Sequence, residues 1–174
     1  GVSGTADLTA DMIFTGNSVS FNTGNLVTFD NDIKVNGITL GKSSGNRPTT
    51  TAFGLDALRI NLTGDNITAF GSRALYSNLY GDHNTANGFK ALERNKVANY
   101  NTATGYLSLQ LNNSSSIYGT GECNTAYGAG SLEKNVIANN CTAIGFHAGR
   151  HNFQNNNTFV GSGTDIAGGN FFNS

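Results

Sequence analysis

Six acidic side chains between residues 56 and 133 are candidates for the carboxylate pair that cleaves a glycosidic bond. That reaction needs two carboxyl groups roughly 5 to 9.5 Å apart. Only Asp65 and Asp82 stand at the same offset on adjacent coils, each directly after a glycine. The Gly-Asp pattern is more typical of a turn than of a catalytic pair, so we predict that the chain is not an enzyme. The six are Asp56, Asp65, Asp82, Glu93, Glu122 and Glu133.

Two histidines and two cysteines could in principle hold a metal. His147 and His151 are four residues apart, a ligand spacing on a helix but not on a strand, where side chains alternate. Histidines from three chains can also trap a metal at an axis, but solvated turn residues are the favoured interpretation. Cys123 and Cys141 form no CxxC motif and miss matching rows by one position, which predicts free or buried thiols. We therefore predict neither a metal nor a cofactor.

Aromatic side chains at regular positions are candidates for stacking against sugar rings. Several occupy the variable place in a recurring Thr-Ala-x-Gly tetrapeptide or directly follow its glycine. Alternation in a strand puts Thr and x on one face and Ala and Gly on the other, without deciding which face looks inward. Core filling is favoured and a sugar-binding stripe is the alternative. The candidate contacts are Phe53, Phe70, Tyr106, Tyr127 and Phe146.

The tetrapeptide belongs to a repeat, which must be recognised before secondary structure is assigned. Six copies are followed by a looser one, Thr158-Phe159-Val160-Gly161, and the starts are 17, 17, 17, 23, 17 and 16 residues apart. A small residue followed by leucine recurs after each of the first five glycines, and an asparagine stands ten residues after each of the six threonines. The starts are Thr51, Thr68, Thr85, Thr102, Thr125 and Thr142.

A 17-residue unit is too short for a pair of helices but holds two short strands and two turns. It predicts an all-β fold, one coil of a parallel β-roll or β-solenoid, in which each strand pairs in register with its counterpart one repeat later. Each tetrapeptide glycine is expected at a corner that needs positive φ or a close backbone approach, and each asparagine at a second corner or in a ladder. Extra residues around 112–116 predict a loop. The corner glycines are Gly54, Gly71, Gly88, Gly105, Gly128, Gly145 and Gly161.

Residues 1–46 have a different pattern, with short apolar runs separated by turn signals. We predict a β-stem or prism over 1–46 and the β-roll over 47–174, with the junction near the single proline, Pro48. The chain opens at Gly1 rather than at a methionine, as expected of a fragment or a processed product. The runs are Met12 to Phe14, Val19 to Phe21, Leu26 to Phe29, Ile33 to Val35 and Ile38 to Leu40.

Composition limits the partners. With 12% charged residues and a net charge of -1, the chain has no cationic field for nucleic acid. No apolar run is long enough to predict membrane insertion. The 23 glycines and 26 asparagines indicate many turns, and 37% hydrophobic residues at regular intervals indicate folded strands rather than disorder.

The same composition predicts association. Each leucine of the repeat contributes only about 1.5 to 3 kcal/mol on burial, so a lone rod built mainly of Ala, Gly and Thr would be marginally stable. Packing three rods about an axis would remove the small-residue face from water. We therefore expect a homotrimer.

The stretch from Asp32 to Lys42, followed by a Gly-Asn junction and Thr-Ala-x-Gly coils, resembles phage and related viral tail-fibre proteins with NTAxG repeats. The coils are also similar to the heads of trimeric autotransporter adhesins, which are parallel β-rolls. Both resemblances imply a trimer that binds a surface. Residues 1–174 include neither the heptad stalk of those adhesins nor the chaperone domain that often ends such fibres, and either one would then lie outside this segment.

The resulting expectation is a structural, receptor-binding segment of a tail fibre on the virion surface, which attaches to a host or neighbouring cell, with glycans as the candidate receptors. Alternatives are a bacterial trimeric adhesin head at the cell surface and a glycan-degrading tailspike. A threonine-bearing solenoid that binds ice is a further alternative, disfavoured because each coil offers only one such threonine. A spacer role without receptor contact also remains open.

Overall fold

The computed structural model describes residues 33–35, 38–41, 48–114 and 120–165, with side chains from residue 48 onward within those ranges. Nine strands in these ranges form one sheet, in sequence order. The strands are β1 (Ile33–Val35), β2 (Ile38–Gly41), β3 (Thr51–Gly54), β4 (Thr68–Phe70), β5 (Thr85–Asn87), β6 (Thr102–Thr104), β7 (Thr125–Tyr127), β8 (Thr142–Ile144) and β9 (Thr158–Val160).

Strands β3 to β9 are parallel and in register, so the predicted β-solenoid is confirmed. Ala52 pairs with Ala69, and Ala69 with Ala86, one repeat further along the chain. The same register continues to β9, where Ala143 pairs with Phe159. Identical residues therefore stack in rows along the axis at the strand spacing of roughly 4.8 Å.

Each described coil contains one strand, whereas the sequence predicted two. The second half of the coil turns through left-handed backbone conformations, as at Arg73 (φ 59°) and Leu75 (φ 49°). Two such residues, separated by a single position, are incompatible with an extended strand. Neighbouring coils still join there by backbone hydrogen bonds, for example from the Leu75 N–H to the Ala91 carbonyl at 3.0 Å.

The core of the described coils consists of rows of small and branched apolar side chains. The strand alanines are 0 to 1% exposed, and the leucine row is fully buried. The alanines therefore line the inside of each coil, because strand alternation turns Ala inward and leaves Thr and x outside. They cannot form the face between chains that was expected of the small residues, whereas the threonines are exposed. The leucine row consists of Leu58, Leu75, Leu92, Leu109 and Leu132.

A ladder of buried asparagines forms the polar part of the core. The Nδ2 of Asn95 donates to the Oδ1 of Asn78 at 3.0 Å and to the Ala98 carbonyl at 2.9 Å. The Nδ2 of Asn112 donates in turn to the Oδ1 of Asn95 at 2.9 Å. The predicted ladder is thus confirmed. Its members are Asn61, Asn78, Asn95, Asn112 and Asn135.

The tetrapeptide glycines form a corner at which successive backbones touch. Gly88 has φ +140°, and a Cβ built on it would lie 2.5 Å from the Gly105 carbonyl oxygen. Both predicted reasons for glycine therefore apply at this corner. The backbone conformation is one that residues with a side chain rarely adopt, and the backbone of the next coil approaches too closely to leave room for a Cβ. All seven corner glycines have positive φ.

The short strands β1 and β2 form an antiparallel pair, and β2 pairs antiparallel with β3. The sheet therefore continues across the predicted junction, while the boundary between 46 and 47 itself stays a prediction. Strands were expected at both of these apolar runs, and the other three predicted runs lie outside the described residues.

Candidate interaction surface

Nine large apolar side chains form a stripe that runs along the rod on both sides of the glycine corner. They occupy the variable tetrapeptide position and the position directly after the glycine, and each is exposed. The prediction that the aromatic residues fill the core is wrong: Tyr127, for example, is 62% exposed. The apolar stripe consists of Phe53, Leu55, Phe70, Phe89, Tyr106, Tyr127, Ile144, Phe146 and Val160.

The local backbone explains why the stripe faces outward. In β4 the inward residue is Ala69, so its neighbours Thr68 and Phe70 point to the other face. Register then repeats this orientation in every coil. Each of the seven coils therefore contributes at least one apolar side chain to the stripe, whose two rows are interrupted by Asn87 and Thr104 and by Ser72 and Ala129. Concentrated apolar patches of this kind mark contact surfaces.

Several aromatic rings of the stripe stack face to face on a neighbouring ring. The centroids of Phe53 and Phe70 are 4.8 Å apart with 7° between the planes, and those of Phe89 and Tyr106 are 5.6 Å apart with 10°. Phe146 stacks on His147 at 3.9 Å. Sugar stacking needs a free ring face, so this geometry favours packing against apolar side chains at these positions.

Tyr127 differs from the other four candidate sugar contacts. None of the stacked pairs among the described residues includes its ring. Its strand neighbours are Thr104 and Ile144, which carry no ring. Tyr127 is therefore the candidate whose geometry best suits a pyranose ring.

The carboxylates on adjacent coils have backbone partners. Asp82 Oδ1 accepts a 2.7 Å hydrogen bond from the Asp65 N–H, and Asn99 Oδ1 accepts the equivalent bond from the Asp82 N–H. The amide oxygen of Asn99 therefore accepts this backbone hydrogen bond as well as the carboxylate oxygen of Asp82 does. This matches the turn interpretation for Asp82, whose carboxylate acts there as a backbone acceptor.

Two further carboxylates are buried in ion pairs that the sequence did not predict. The Glu93 carboxylate accepts hydrogen bonds from the Arg73 Nε at 2.7 Å and from the Gln110 Nε2 at 2.7 Å, and its side chain is 5% exposed. The Glu133 carboxylate accepts a hydrogen bond from the Arg150 Nε at 2.8 Å. A signal was available for the second pair only, because Glu133 and Arg150 each stand eight residues after a tetrapeptide threonine, whereas Arg73 stands five residues after one.

The predicted metal candidates do not come together. His147 contacts Phe146, whereas His151 Nδ1 lies 2.7 Å from Asp165 Oδ2. Cys123 is exposed and Cys141 is buried, and both are free thiols, as predicted. The part of the chain that the structure describes contains no cluster of three or more His, Cys, Asp or Glu residues that could hold a metal ion.

Within the described residues, no helix has the length and apolar character needed to cross a membrane. Comparison of the chain with models of protein families, with curated proteins and with solved structures finds no match.

Proposed function

We propose that this chain is a structural and surface-binding segment of a homotrimeric fibre, of the kind found in viral tail fibres, in which the rods pack side by side. It would act by attachment to a host or neighbouring cell rather than by catalysis. A bacterial trimeric adhesin head would use the same architecture.

The observation that carries the proposal is the apolar stripe. Of the fifteen large apolar side chains exposed in the described residues, nine belong to it. Their burial between chains would supply the hydrophobic contribution that the thin core of alanines, leucines and asparagines provides only in part. A rigid repeat with one chemistry along its length is suited to an extended interface.

Side-by-side packing also explains how a fibre would attach. Three equivalent weak sites on one rigid rod raise the effective concentration of each site once the first is bound. Tight individual contacts are then unnecessary.

Native mass, measured by light scattering coupled to size exclusion, tests this proposal. We expect the mass of three chains, and Phe70→Ser should shift the population toward monomer because it removes an exposed ring from the stripe. Thr68→Ser, an exposed change beside it, is the matched control. A wild-type monomer at micromolar concentration would refute the trimeric fibre.

Surface binding is tested with Tyr127→Ala, assayed for native mass and for capture on immobilised cell-surface polysaccharide. Loss of capture with an unchanged trimer mass would place Tyr127 in a receptor contact. Loss of the trimer would place it in the interface. Capture of neither the wild type nor the variant by any host surface would favour a spacer.

A further inference from the structure

The apolar stripe is made of two rows that flank the glycine corner. We call the position two residues after each tetrapeptide threonine the x row, and the position four residues after it the post-glycine row. The two positions of one coil are two residues apart, so their Cα atoms lie within about 7 Å of each other. Each row therefore forms one flank of the same corner.

Large and smaller side chains alternate between the two flanks. Counting coils from Thr51, the second to fifth coils and the seventh each carry one large apolar side chain and one smaller side chain at these two positions. The large group stands in the x row of the second coil and in the post-glycine row of the third and fourth coils. The three pairs are Phe70 with Ser72, Phe89 with Asn87, and Tyr106 with Thr104.

Asn87 and Thr104 form a notch in the x row, because both side chains are shorter than the rings elsewhere in the stripe. On the other flank of the same two coils, Phe89 and Tyr106 are stacked on each other and are 42% and 56% exposed. A protruding pair of rings and a notch thus occupy the same two levels of the rod.

Packing within one chain does not require this alternation. The first coil carries Phe53 and Leu55 at the two positions, and the sixth carries Ile144 and Phe146. All four side chains are exposed. One corner therefore accommodates two large groups, and crowding within a coil cannot be the reason why a ring is set beside a smaller residue elsewhere.

In a closed ring of parallel rods, each chain presents one flank of its corner to one neighbour and the other flank to the other neighbour. The x row of one chain then faces the post-glycine row of the next, with equivalent coils at the same level. We propose that the rings of the second to fourth coils fit against the smaller side chains of the adjacent chain, with the stacked pair of Phe89 and Tyr106 entering its notch. The inference rests on the trimeric fibre proposed above.

Shifted arrangements lose this fit. Sliding one rod by one coil sets Phe70 of one chain against Phe89 of the next, so that two rings compete for one space. Sliding it the other way sets Asn87 against Ser72 and leaves a gap between them. Because well-packed interfaces match shapes as closely as protein interiors do, the pattern of sizes favours the unshifted trimer.

An exchange of sizes within the fourth coil of the full chain tests the fit. Thr104→Tyr should weaken association roughly tenfold, because two rings then meet at one level. Tyr106→Thr should weaken it by about the same factor, because it leaves a cavity. The double variant restores one large and one smaller group and should associate within about threefold of wild type. Light scattering over a concentration series measures the association.

The sign of the first change separates matched sizes from general stickiness. A stripe that needed only apolar area would gain from the added ring, so tighter association of Thr104→Tyr would overturn the inference. Thr63→Tyr adds the same ring at an exposed position outside the stripe and should leave association unchanged. Circular dichroism verifies that each variant is folded.

Co-expression of the two single variants separates contacts between chains from contacts within one chain. Wherever a Thr104→Tyr chain meets a Tyr106→Thr chain, one ring again faces one smaller group, so trimers that contain both chains should exceed random assortment. Native mass spectrometry counts the compositions. Random assortment in intact trimers would contradict the fit while leaving the fibre proposal standing, and a monomeric wild type would refute both.

Discussion

The ring of Phe159 occupies the space that a side chain at Gly149 would need. A Cβ on Gly149 would lie 2.5 Å from Phe159 Cδ2 and 3.0 Å from Leu132 Cδ2. Gly149 stands where earlier coils have leucine, and Phe159 stands where they have alanine. At this point the large inward side chain therefore comes from the alanine row, as Phe159, instead of from the leucine row.

This exchange predicts strong coupling between the two positions. Gly149→Leu should destabilise the fold by about 1 to 3 kcal/mol through overpacking, and Phe159→Ala by about 2 kcal/mol through a cavity. The double variant restores the leucine and alanine of the other coils and should recover at least about 1 kcal/mol. The left-handed φ of 59° at Gly149 is no obstacle, because Leu132 adopts 47°. Urea unfolding of the four proteins measures the coupling, and simple additivity would contradict it.

The glycine corner makes a second prediction. Gly88→Ala should lower the free energy of unfolding by at least about 2 kcal/mol, because both the conformation and the Gly105 contact oppose a Cβ. Asn87→Ala, at the exposed neighbour, is the control and should stay within about 0.5 kcal/mol. Comparable unfolding midpoints for the two variants would show that the corner tolerates a side chain.

The repeat spacing was sufficient to predict the parallel register, the glycine corner and the asparagine ladder, because identical residues at one period must stack. The number of strands per coil was not predictable in the same way. A leucine such as Leu75 rarely adopts a left-handed conformation, and only the closed coil forces it into one.

Alternation alone also could not predict which face of each strand points into the coil. Side-chain size is consistent with it in retrospect: six of the seven inward positions carry alanine, and the large Phe159 lies there only where Gly149 replaces the facing leucine. The ion pair of Arg73 and Glu93 was likewise not predictable, because the sequence shows the two residues but not that they are neighbours. Arg73 and Glu93 are 20 residues apart, so they become partners only when two different rows of adjacent coils approach each other.

The asparagine ladder predicts an unusual sensitivity to a nearly isosteric change. In Asn95→Asp an oxygen replaces the Nδ2 that donates to Asn78 Oδ1 and to the Ala98 carbonyl, so acceptors face acceptors in a fully buried site. We expect a loss of at least about 3 kcal/mol at neutral pH, against about 2 kcal/mol for Asn95→Ala.

The same variant should depend on pH with a defined sign. A carboxyl group that is harder to ionise in the folded than in the unfolded chain binds its proton at higher pH in the folded state. Lowering the pH therefore stabilises the variant relative to wild type. Chemical denaturation at pH 7 and pH 4 measures the difference, with Asn95→Ala as the uncharged control. A stability gap that is unchanged or wider at pH 4 would contradict buried acceptor repulsion.

The pair formed by Arg73 and Glu93 predicts an asymmetry between its two halves. The Arg73 side chain is 41% exposed and that of Glu93 only 5%, so their isolated charges differ in access to water. Arg73→Met leaves a buried carboxylate supported by Gln110 and by Lys90 at 4.0 Å, and should cost about 2 to 4 kcal/mol. Glu93→Gln leaves a cation that water still reaches, so it should cost about 1 kcal/mol. Thermal or urea unfolding ranks the two, and replacing both by apolar residues should cost less than Arg73→Met alone. An equal loss from both single changes would mean that the pair contributes by packing rather than by charge.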